Sequence, residues 1–245
     1  MAETAREIAD ELRERIRSGD LGPGARLPGE PTLVKGYGVA KETARRALTL
    51  LVTEGLAVRR SGSGTYVREF QPIRRVANLR LSEERWGGGR SVWSADVGQR
   101  PMSVTELRVY EASAPEDVAQ ILELEDGAAV IIRDRLFAVE GEPVQAAVSY
   151  LPADLVRGSA IAQEDTGPGG TYARLAELGA KPVRFVEELR ARMPSQEESE
   201  RLHLAEATPV VEIYRTALTE DGKPVEVNRM LLDAGAYVME YRITG

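Results

Sequence analysis

The chain has 245 residues, a length that favours two domains over one, and its 42% hydrophobic and 29% charged residues describe a water-soluble globular protein. It has no cysteine and a single histidine, His203, which excludes disulfides and leaves no ligand set for zinc, so neither a metal nor a cofactor is expected. The net charge of −7 is unevenly divided: residues 1–75 hold 14 Lys/Arg against 10 Asp/Glu, and the remaining 170 hold 18 against 29. A basic head on an acidic body suits a protein that meets a polyanion through one end only, because phosphate repels the other. No apolar run is long enough to cross a bilayer, and no signal-peptide core follows Met1, so a cytoplasmic protein without a membrane partner is expected.

Ala5 to Ser18 reads as a first helix, with Ile8, Leu12 and Ile16 as its apolar stripe, flanked by Ala5 and Ala9. Gly19 closes it, and Gly22-Pro23-Gly24 forms a turn. A short second helix runs from Glu30 to Tyr37, and Gly36 and Gly38 surround a tight bend. The third helix, from about Val39 to Glu54, buries Val39, Ala44, Ala47, Leu48, Leu51 and Val52. Lys41, Glu42, Arg45, Arg46 and Thr49 are left outside, and Gly55 caps the end in a left-handed conformation. A β-ribbon follows: Leu56 to Arg60, a tip at Ser61-Gly62-Ser63-Gly64, and a return strand Thr65-Tyr66-Val67. A helix of this charge fits the major groove of B-DNA, and a basic ribbon carrying Arg59 can reach phosphates or the minor groove. Lys41 and Arg45 can donate to guanine O6 and N7 or to phosphate, and Thr43 can touch a phosphate or a thymine methyl.

This order resembles the N-terminal domain of GntR-family transcription regulators. The residues that carry the resemblance are Gly19-Asp20-Leu21-Gly22-Pro23-Gly24-Ala25-Arg26-Leu27-Pro28-Gly29-Glu30, Tyr37-Gly38-Val39-Ala40-Lys41-Glu42-Thr43-Ala44-Arg45-Arg46-Ala47-Leu48, Glu54-Gly55-Leu56 and Gly62-Ser63-Gly64-Thr65-Tyr66-Val67. It covers nearly all of residues 5–67. The resemblance implies recognition-helix contacts from Lys41, Thr43 and Arg45, a phosphate contact from Arg26, and a minor-groove approach by Gly64. Gly29 and Ala40 stand where the family carries Ser or Ser/Thr, Lys41 where it carries Arg, and Pro31 where some relatives place a DNA-contacting Arg. Lysine lacks the arginine fork, so base specificity is expected to be altered, or weaker at that half-site position.

Residues 69–90 read as a linker, flexible at Gly87-Gly88-Gly89 or ordered through Leu79, Leu81 and Trp86. Beyond it the chain repeats itself at an offset of 81 residues: Val130, Ile132, Gly141, Pro143 and Val144 recur as Val211, Ile213, Gly222, Pro224 and Val225. Amphipathic helices precede each copy, at Pro115–Glu123 and Ser195–Leu204, and further strands are expected at Val104–Tyr110, Val183–Met193 and Tyr237–Ile243. Helices and hairpins in this alternation imply an α+β domain with an antiparallel sheet, with a ligand cleft between the two similar halves. Arg133 and Arg135 share one face of a strand and present two guanidinium forks to an acidic group. Gly169-Gly170-Thr171-Tyr172 opens a helix whose free amides favour an anion. The alternative is that these arginines form structural salt bridges with Glu226 or Asp134.

Residues 90–243 resemble the UTRA effector domain of HutC-type GntR regulators, a fold shared with chorismate lyase. The markers are Arg133-Asp134-Arg135, Glu142-Pro143 through Tyr150-Leu151-Pro152, Thr171-Tyr172 and Pro224-Val225-Glu226. The resemblance implies a phosphate-holding role for Arg133 and Arg135, helped by Gly170, Thr171 and Tyr172 at the helix start, and a hydroxyl-accepting role for Glu226. Ala147, Gly170 and Leu232 replace polar residues of sugar-phosphate binders, so a larger or more apolar acidic effector is expected.

The expected organisation is a winged helix-turn-helix over residues 1–68, a linker over 69–90, and an effector-binding and dimerisation domain over 91–245. The expected function is a homodimeric regulator, a repressor, that binds a palindromic double-stranded DNA operator and is released or reset by a small acidic effector. A ligand-independent DNA-binding repressor and an enzyme on the chorismate lyase-like fold are the alternatives. The carboxylates are not paired for acid–base work, and His203 lies in an amphipathic segment, so no catalytic residue is expected.

Overall fold

The computed structural model describes residues 4–60, 62–69, 73–82, 92–204 and 208–242. Ser61, Trp86, Gly87 to Gly89 and Ile243, and the side chain of Leu79, fall outside the described residues. The chain divides into two compact units. One comprises residues up to Gln71 together with Met193–Ser199 and Leu204–Pro209; the other comprises Pro72–Arg192, Glu200–His203 and the residues from Val210 onward.

In the first unit α1 spans Ala5–Arg17, α2 Glu30–Tyr37 and α3 Lys41–Thr53. Thr4 caps α1 reciprocally with Glu7: the Glu7 amide donates to Thr4 Oγ1 (3.3 Å) and the Thr4 amide to Glu7 Oε2 (2.6 Å). The apolar stripe of α1 is buried through Ile8, Ala9 and Leu12, with Ile16 half-covered. It packs with Leu33 of α2 and with Ala44, Ala47, Leu48 and Leu51 of α3 in one core. Gly38 (φ +66°) makes the bend between α2 and α3, a conformation that a side chain would strain. Val39, expected inside α3, is buried just before it, and Ala40 is the cap. The wing pairs β1 (Ala57–Arg60) with β2 (Gly64–Val67) antiparallel, and Arg26 adds an isolated bridge to Tyr66.

The second unit is built on an antiparallel sheet. Its described strands are β4 (Met102–Ser113), β5 (Ala129–Val139), β6 (Glu142–Pro152), β7 (Arg184–Arg192), β8 (Val210–Leu218) and β9 (Pro224–Asp233), in the order β4-β5-β6-β9-β8-β7. Helix α6 (Glu116–Ile121) follows β4, and α9 (Gln196–Arg201), whose first four residues are grouped with the first unit, follows β7, so strand, helix, strand, strand occurs twice along the chain. The halves meet where Val148 of β6 pairs with Arg229 of β9.

The repeat is not uniform at 81. Gln145 and Glu226 occupy equivalent places on β6 and β9, an offset of 81, but their partners Phe137 and Ala217 differ by 80. Five residues separate Leu218 from Pro224, where four separate Ala138 from Pro143. The extra hairpin residue shifts the numbering of β8 by one. A one-residue slip exchanges the two faces of a strand, so the structural twin of Arg135 is Arg215, whereas an offset of 81 pairs Arg215 with Asp134.

Residues 73–82, read as part of a linker, are ordered within the second unit. Strand β3 (Ile73–Val76) pairs parallel with β10 (Tyr237–Glu240), and α4 (Ala77–Arg80) follows directly. The strand expected at Tyr237–Ile243 therefore belongs to this small sheet and not to the large one. Arg75 is wholly buried and makes a bidentate pair with Glu187 of β7, Nη1 to Oε2 at 2.9 Å and Nη2 to Oε1. Helix α5 (Ser94–Val97) brings Asp96 to Arg80, at 2.8 Å. The remaining helices are α7 (Ala153–Val156) and α8 (Gly170–Glu177), with a single 3-10 turn at Ala160–Ala162 between them. Tyr172 and Leu175 of α8 pack in one buried cluster with Ile131, Leu151, Ala217 and Val225 of the sheet, while Val118 and Leu122 pack with Val130, Ile132, Tyr150 and Val227. The alternation along β5 separates the two clusters by face.

Candidate functional site

Helix α3 carries its apolar residues inward, and this fixes which residues face out. Lys41, Arg45 and Arg46 are exposed, and Thr43 is half-buried in the first turn. Lys41, Arg45 and Thr49 recur every four residues and form one stripe, with Lys41 3.9 Å from Glu30 of α2. Arg59 of β1 donates from Nη2 to Thr49 Oγ1 (2.6 Å), which ties the wing to that stripe. Thr49 in turn donates to the Arg45 carbonyl (2.8 Å). Arg26 lies against Gly64: a Cβ there would come 3.1 Å from Arg26 Nε, and φ is +127°. Gly64 is thus needed for the close approach of Arg26. No side chain caps α3, because Ala40 has no oxygen to offer. Arg13 of α1 braces the other end of α3 by a bidentate pair with Glu54 (Nε–Oε2 2.9 Å, Nη2–Oε1 2.6 Å). The unit presents Lys41, Arg45 and Arg46 on the helix and Arg59 on the wing, with Arg26 beside Gly64.

The second unit holds a cavity of ≈ 240 Å³ over one face of the sheet, where the two repeats join. Arg133, Arg135, Gly170, Thr171, Tyr172 and Glu226 all line it. So do Arg80, Trp93, Gln145, Arg215 and Asn228, which the sequence reading did not single out. Strand register explains the convergence. Arg133, Ser149, Asn228 and Arg215 stand side by side across β5, β6, β9 and β8. Trp93 packs on Phe137 (centroids 4.5 Å apart), and with Val92, Ala147 and Met230 it gives the cavity an apolar wall. Ala147 and Gly170 line the cavity, whereas Leu232 is fully buried in the core and does not.

The two arginines of the Arg-Asp-Arg motif differ. Arg133 is fastened to the chain: Nη1 donates to the carbonyls of Ile161 (2.6 Å) and Gln163, and Nη2 to that of Glu164 (2.9 Å). Only its Nε remains without a hydrogen-bond partner among the described residues. Arg135 donates from Nη2 to Ser149 Oγ and keeps Nε unpartnered. Neither is held by a short ion pair to Glu226 or Asp134. Asp134 projects from the other face of β5 and is bonded by Arg201 (2.7 Å). The start of α8 is also less open than expected, because the Gly170 amide already donates to the Gly167 carbonyl (3.2 Å).

Burial lowers the pKa of Arg133 to about 10, with Arg135 adding to the effect, and burial lowers that of Arg80 to about 10. Both stay charged at neutral pH. Burial also pushes the Tyr172 hydroxyl well up, with nearby Glu226 adding to the shift, so it remains a neutral hydrogen-bonding group.

The bacterial regulatory proteins, gntR family, model matches residues 4–67, and the UTRA domain model matches residues 99–237. The chain belongs to the GntR family and is of the HutC type. Its GntR unit binds DNA and its UTRA unit binds an effector. It is 37% identical over 231 residues to the uncharacterized HTH-type transcriptional regulator SCO4628 of Streptomyces coelicolor, covering 90% of this chain and 85% of that one. It is 30% identical to the HTH-type transcriptional regulator GgaR of Escherichia coli, covering 90% and 83%. It is 25% identical to the mannosyl-D-glycerate transport/metabolism system repressor MngR of the same species, covering 95% and 92%. A crystal structure assigned to the GntR family superposes over 98% of this chain and 97% of that one (TM-score 0.64, 27% identity). PhnF from Mycobacterium smegmatis shares the fold over 97% and 99% (TM-score 0.59, 23% identity). These relatives are transcriptional regulators, not enzymes. Among the described residues of this GntR protein, no helix is long and apolar enough to cross a membrane.

Two of the missed residues in the UTRA cavity left a signal in the sequence. Arg215 is found by aligning the repeat with a one-residue gap at the second hairpin. Arg80 sits in Leu79-Arg80-Leu81, a pattern of apolar residues around one cation that suits a docked segment better than a solvated linker.

Proposed function

We propose that this GntR regulator is a cytoplasmic repressor that binds a palindromic operator as a homodimer and is released or reset by a small acidic effector in the UTRA cavity. The observation that carries the DNA half is the stripe on α3 formed by exposed Lys41 and Arg45 with half-buried Thr49, joined to the wing through Arg59. Lys41, Thr43 and Arg45 enter the major groove, Arg46 and Arg59 meet phosphates, and Arg26 is carried toward the backbone beside Gly64. One head reads few base pairs, so a two-fold dimer supplies the specificity. Edge strand β4 exposes Met102, Val104 and Tyr110, a surface suited to self-association. The repressor role is supported by the name of MngR.

The observation that carries the effector half is the set of unpartnered arginine nitrogens facing a cavity with an apolar wall. An effector with an acidic group and an apolar body fits it; Arg135 meets the acid, Glu226 accepts from a hydroxyl or amine, and Tyr172 and Thr171 close the side. Occupancy reaches the heads through residues 73–82, whose Arg80 is part of the cavity wall.

Binding of the full chain to DNA from its own upstream region, followed by electrophoretic mobility during a screen of acidic metabolites, tests this reading. The expected result is a dimer released by one class of acid, with Arg135→Ala retaining DNA binding and losing release. Release that persists in Arg135→Ala, or a monomer that binds one half-site at full affinity, overturns it.

A further inference from the structure

The cavity has a second cationic pole that the Arg-Asp-Arg motif does not predict. Arg80 and Arg215 are both nearly inaccessible, at 3% and 5% exposure, and both line the cavity. Arg80 gives one nitrogen, Nη2, to Asp96 and keeps Nε and Nη1 without a hydrogen bond. Arg215 keeps Nε and Nη1 without a hydrogen bond; its ion-pair partner, Glu187, is 3.9 Å from Nη1 and already grips Arg75 with both oxygens. On the same wall Asn228 Oδ1 is an acceptor without a donor, and Glu226 Oε2 has the Tyr172 hydroxyl as its neighbouring donor. Most of the buried unpartnered side-chain atoms among the described residues thus converge on one space. Buried polar groups are rarely left in this state unless something else completes them.

The charge balance points the same way. In and beside the cavity five arginines (Arg75, Arg80, Arg133, Arg135 and Arg215) face the buried carboxylate of Glu226 and the partly buried ones of Asp96 and Glu187. Glu164 and Asp165 also line the cavity but are exposed, so water screens them. Among the described residues two positive charges are left without a buried or partly buried carboxylate of their own. Burial lowers the pKa of Arg80 and of Arg135, and neighbouring arginines add to it against the opposing pull of Asp96 and Glu226, whereas the groups around Arg215, Tyr172, Glu226 and Glu187 among them, outweigh burial and raise its pKa. Uncompensated buried charge is destabilising, so a site that keeps it is built to receive the opposite charge.

We infer that the Arg80–Arg215 pair, set against Arg135, is the anion-binding pole of this cavity, and that its ligand carries two negative charges together with a hydrogen-bond donor for Glu226 and Asn228. The Arg133 fork is occupied by chain carbonyls and acts as a brace for residues 161–164. The repeat accounts for the arrangement: Arg135 and Arg215 are structural twins, one from each half, so two opposed cations approach a single anionic group from both sides. The third cation, Arg80, comes from the segment that leads out of the DNA-binding unit. The ligand class is a phosphate monoester or a dicarboxylate, and this inference rests on the effector reading of the cavity.

The test is calorimetric titration of the full chain at about pH 7.5 with sodium phosphate and sodium succinate, against acetate and chloride at matched ionic strength, with thermal midpoints followed in parallel. At least one dianion is expected to bind and raise the midpoint; binding by phosphate alone or succinate alone assigns the class. Arg80→Met and Arg215→Met are expected to weaken that binding at least tenfold, with Arg215→Lys recovering part of it. Dianion binding that survives both Met variants and is lost only in Arg135→Met overturns the inference and leaves the effector reading standing. Acetate binding as tightly as either dianion does the same. If none of the anions binds, the inference fails, and the effector reading is decided by the release screen alone.

Discussion

The head and the cavity use the same side chain in opposite environments. Arg45 and Arg46 stand in water on α3, while Arg75, Arg80 and Arg215 are removed from it within the sheet unit. An exposed guanidinium interacts weakly with its own protein and is free to meet phosphate, an interaction that salt screens. A buried one has lost its hydration and depends on every carboxylate, carbonyl and ligand within reach. Removing an arginine should therefore harm DNA binding in one unit and folding or ligand selection in the other.

The largest expected effect tests the buried side of this contrast. Arg75→Leu strands Glu187, leaving it only the 3.9 Å approach of Arg215, and should cost about 3–5 kcal/mol in urea denaturation. The double variant Arg75→Leu/Glu187→Leu should regain most of that loss. Equal losses in both would show that packing, not charge, is what Arg75 supplies. On the exposed side, Arg45→Ala should leave the thermal midpoint unchanged and weaken operator binding by about 1–3 kcal/mol if it reads a base, relaxing preference at one position. Uniform weakening on all sequences, with a smaller salt slope, would assign it to phosphate instead.

A smaller effect concerns the open end of α3. Ala40→Ser supplies the missing cap and should stabilise the isolated melting of the head by about 1 kcal/mol. No gain by calorimetry would mean that the α3 amides are already satisfied by water.

The smallest effect is in pH. Burial alone would raise the pKa of Glu187, but the hydrogen bonds and charge of Arg75 outweigh it and hold it below its ordinary 4.5. A lowered carboxylate pKa contributes stability that is complete above the unfolded value and is lost as pH falls through the folded one. The wild type should lose stability below about pH 4.5, and Glu187→Gln should flatten that acid limb while leaving the slope near neutrality alone.

The head was legible because its structure is local. Each helix of the first unit is specified by an apolar stripe and glycine punctuation a few residues apart, and the exposed residues of α3 follow by subtraction. Once Ala44, Ala47, Leu48 and Leu51 are inside, Lys41, Arg45 and Arg46 have to be outside. The cavity was only partly legible. Arg133 and Arg135 could be placed on one face by alternation, yet the function of each depends on distant carbonyls at 161–164 and on Ser149.

What the sequence determined by itself was the order of elements, the α+β class, the duplicated strand pairs, and the outward face of α3, since all of these follow from periodicity and turn chemistry within short windows. What the tertiary structure decided was which residues share the cavity. One extra hairpin residue reverses the face on which Arg215 is counted, and pairing with β10 draws the segment carrying Arg80 out of an expected linker and into the wall. The first is a matter of hairpin length, visible only once the two repeats are set side by side; the second depends on pairing between strands far apart in the chain, which no local pattern encodes.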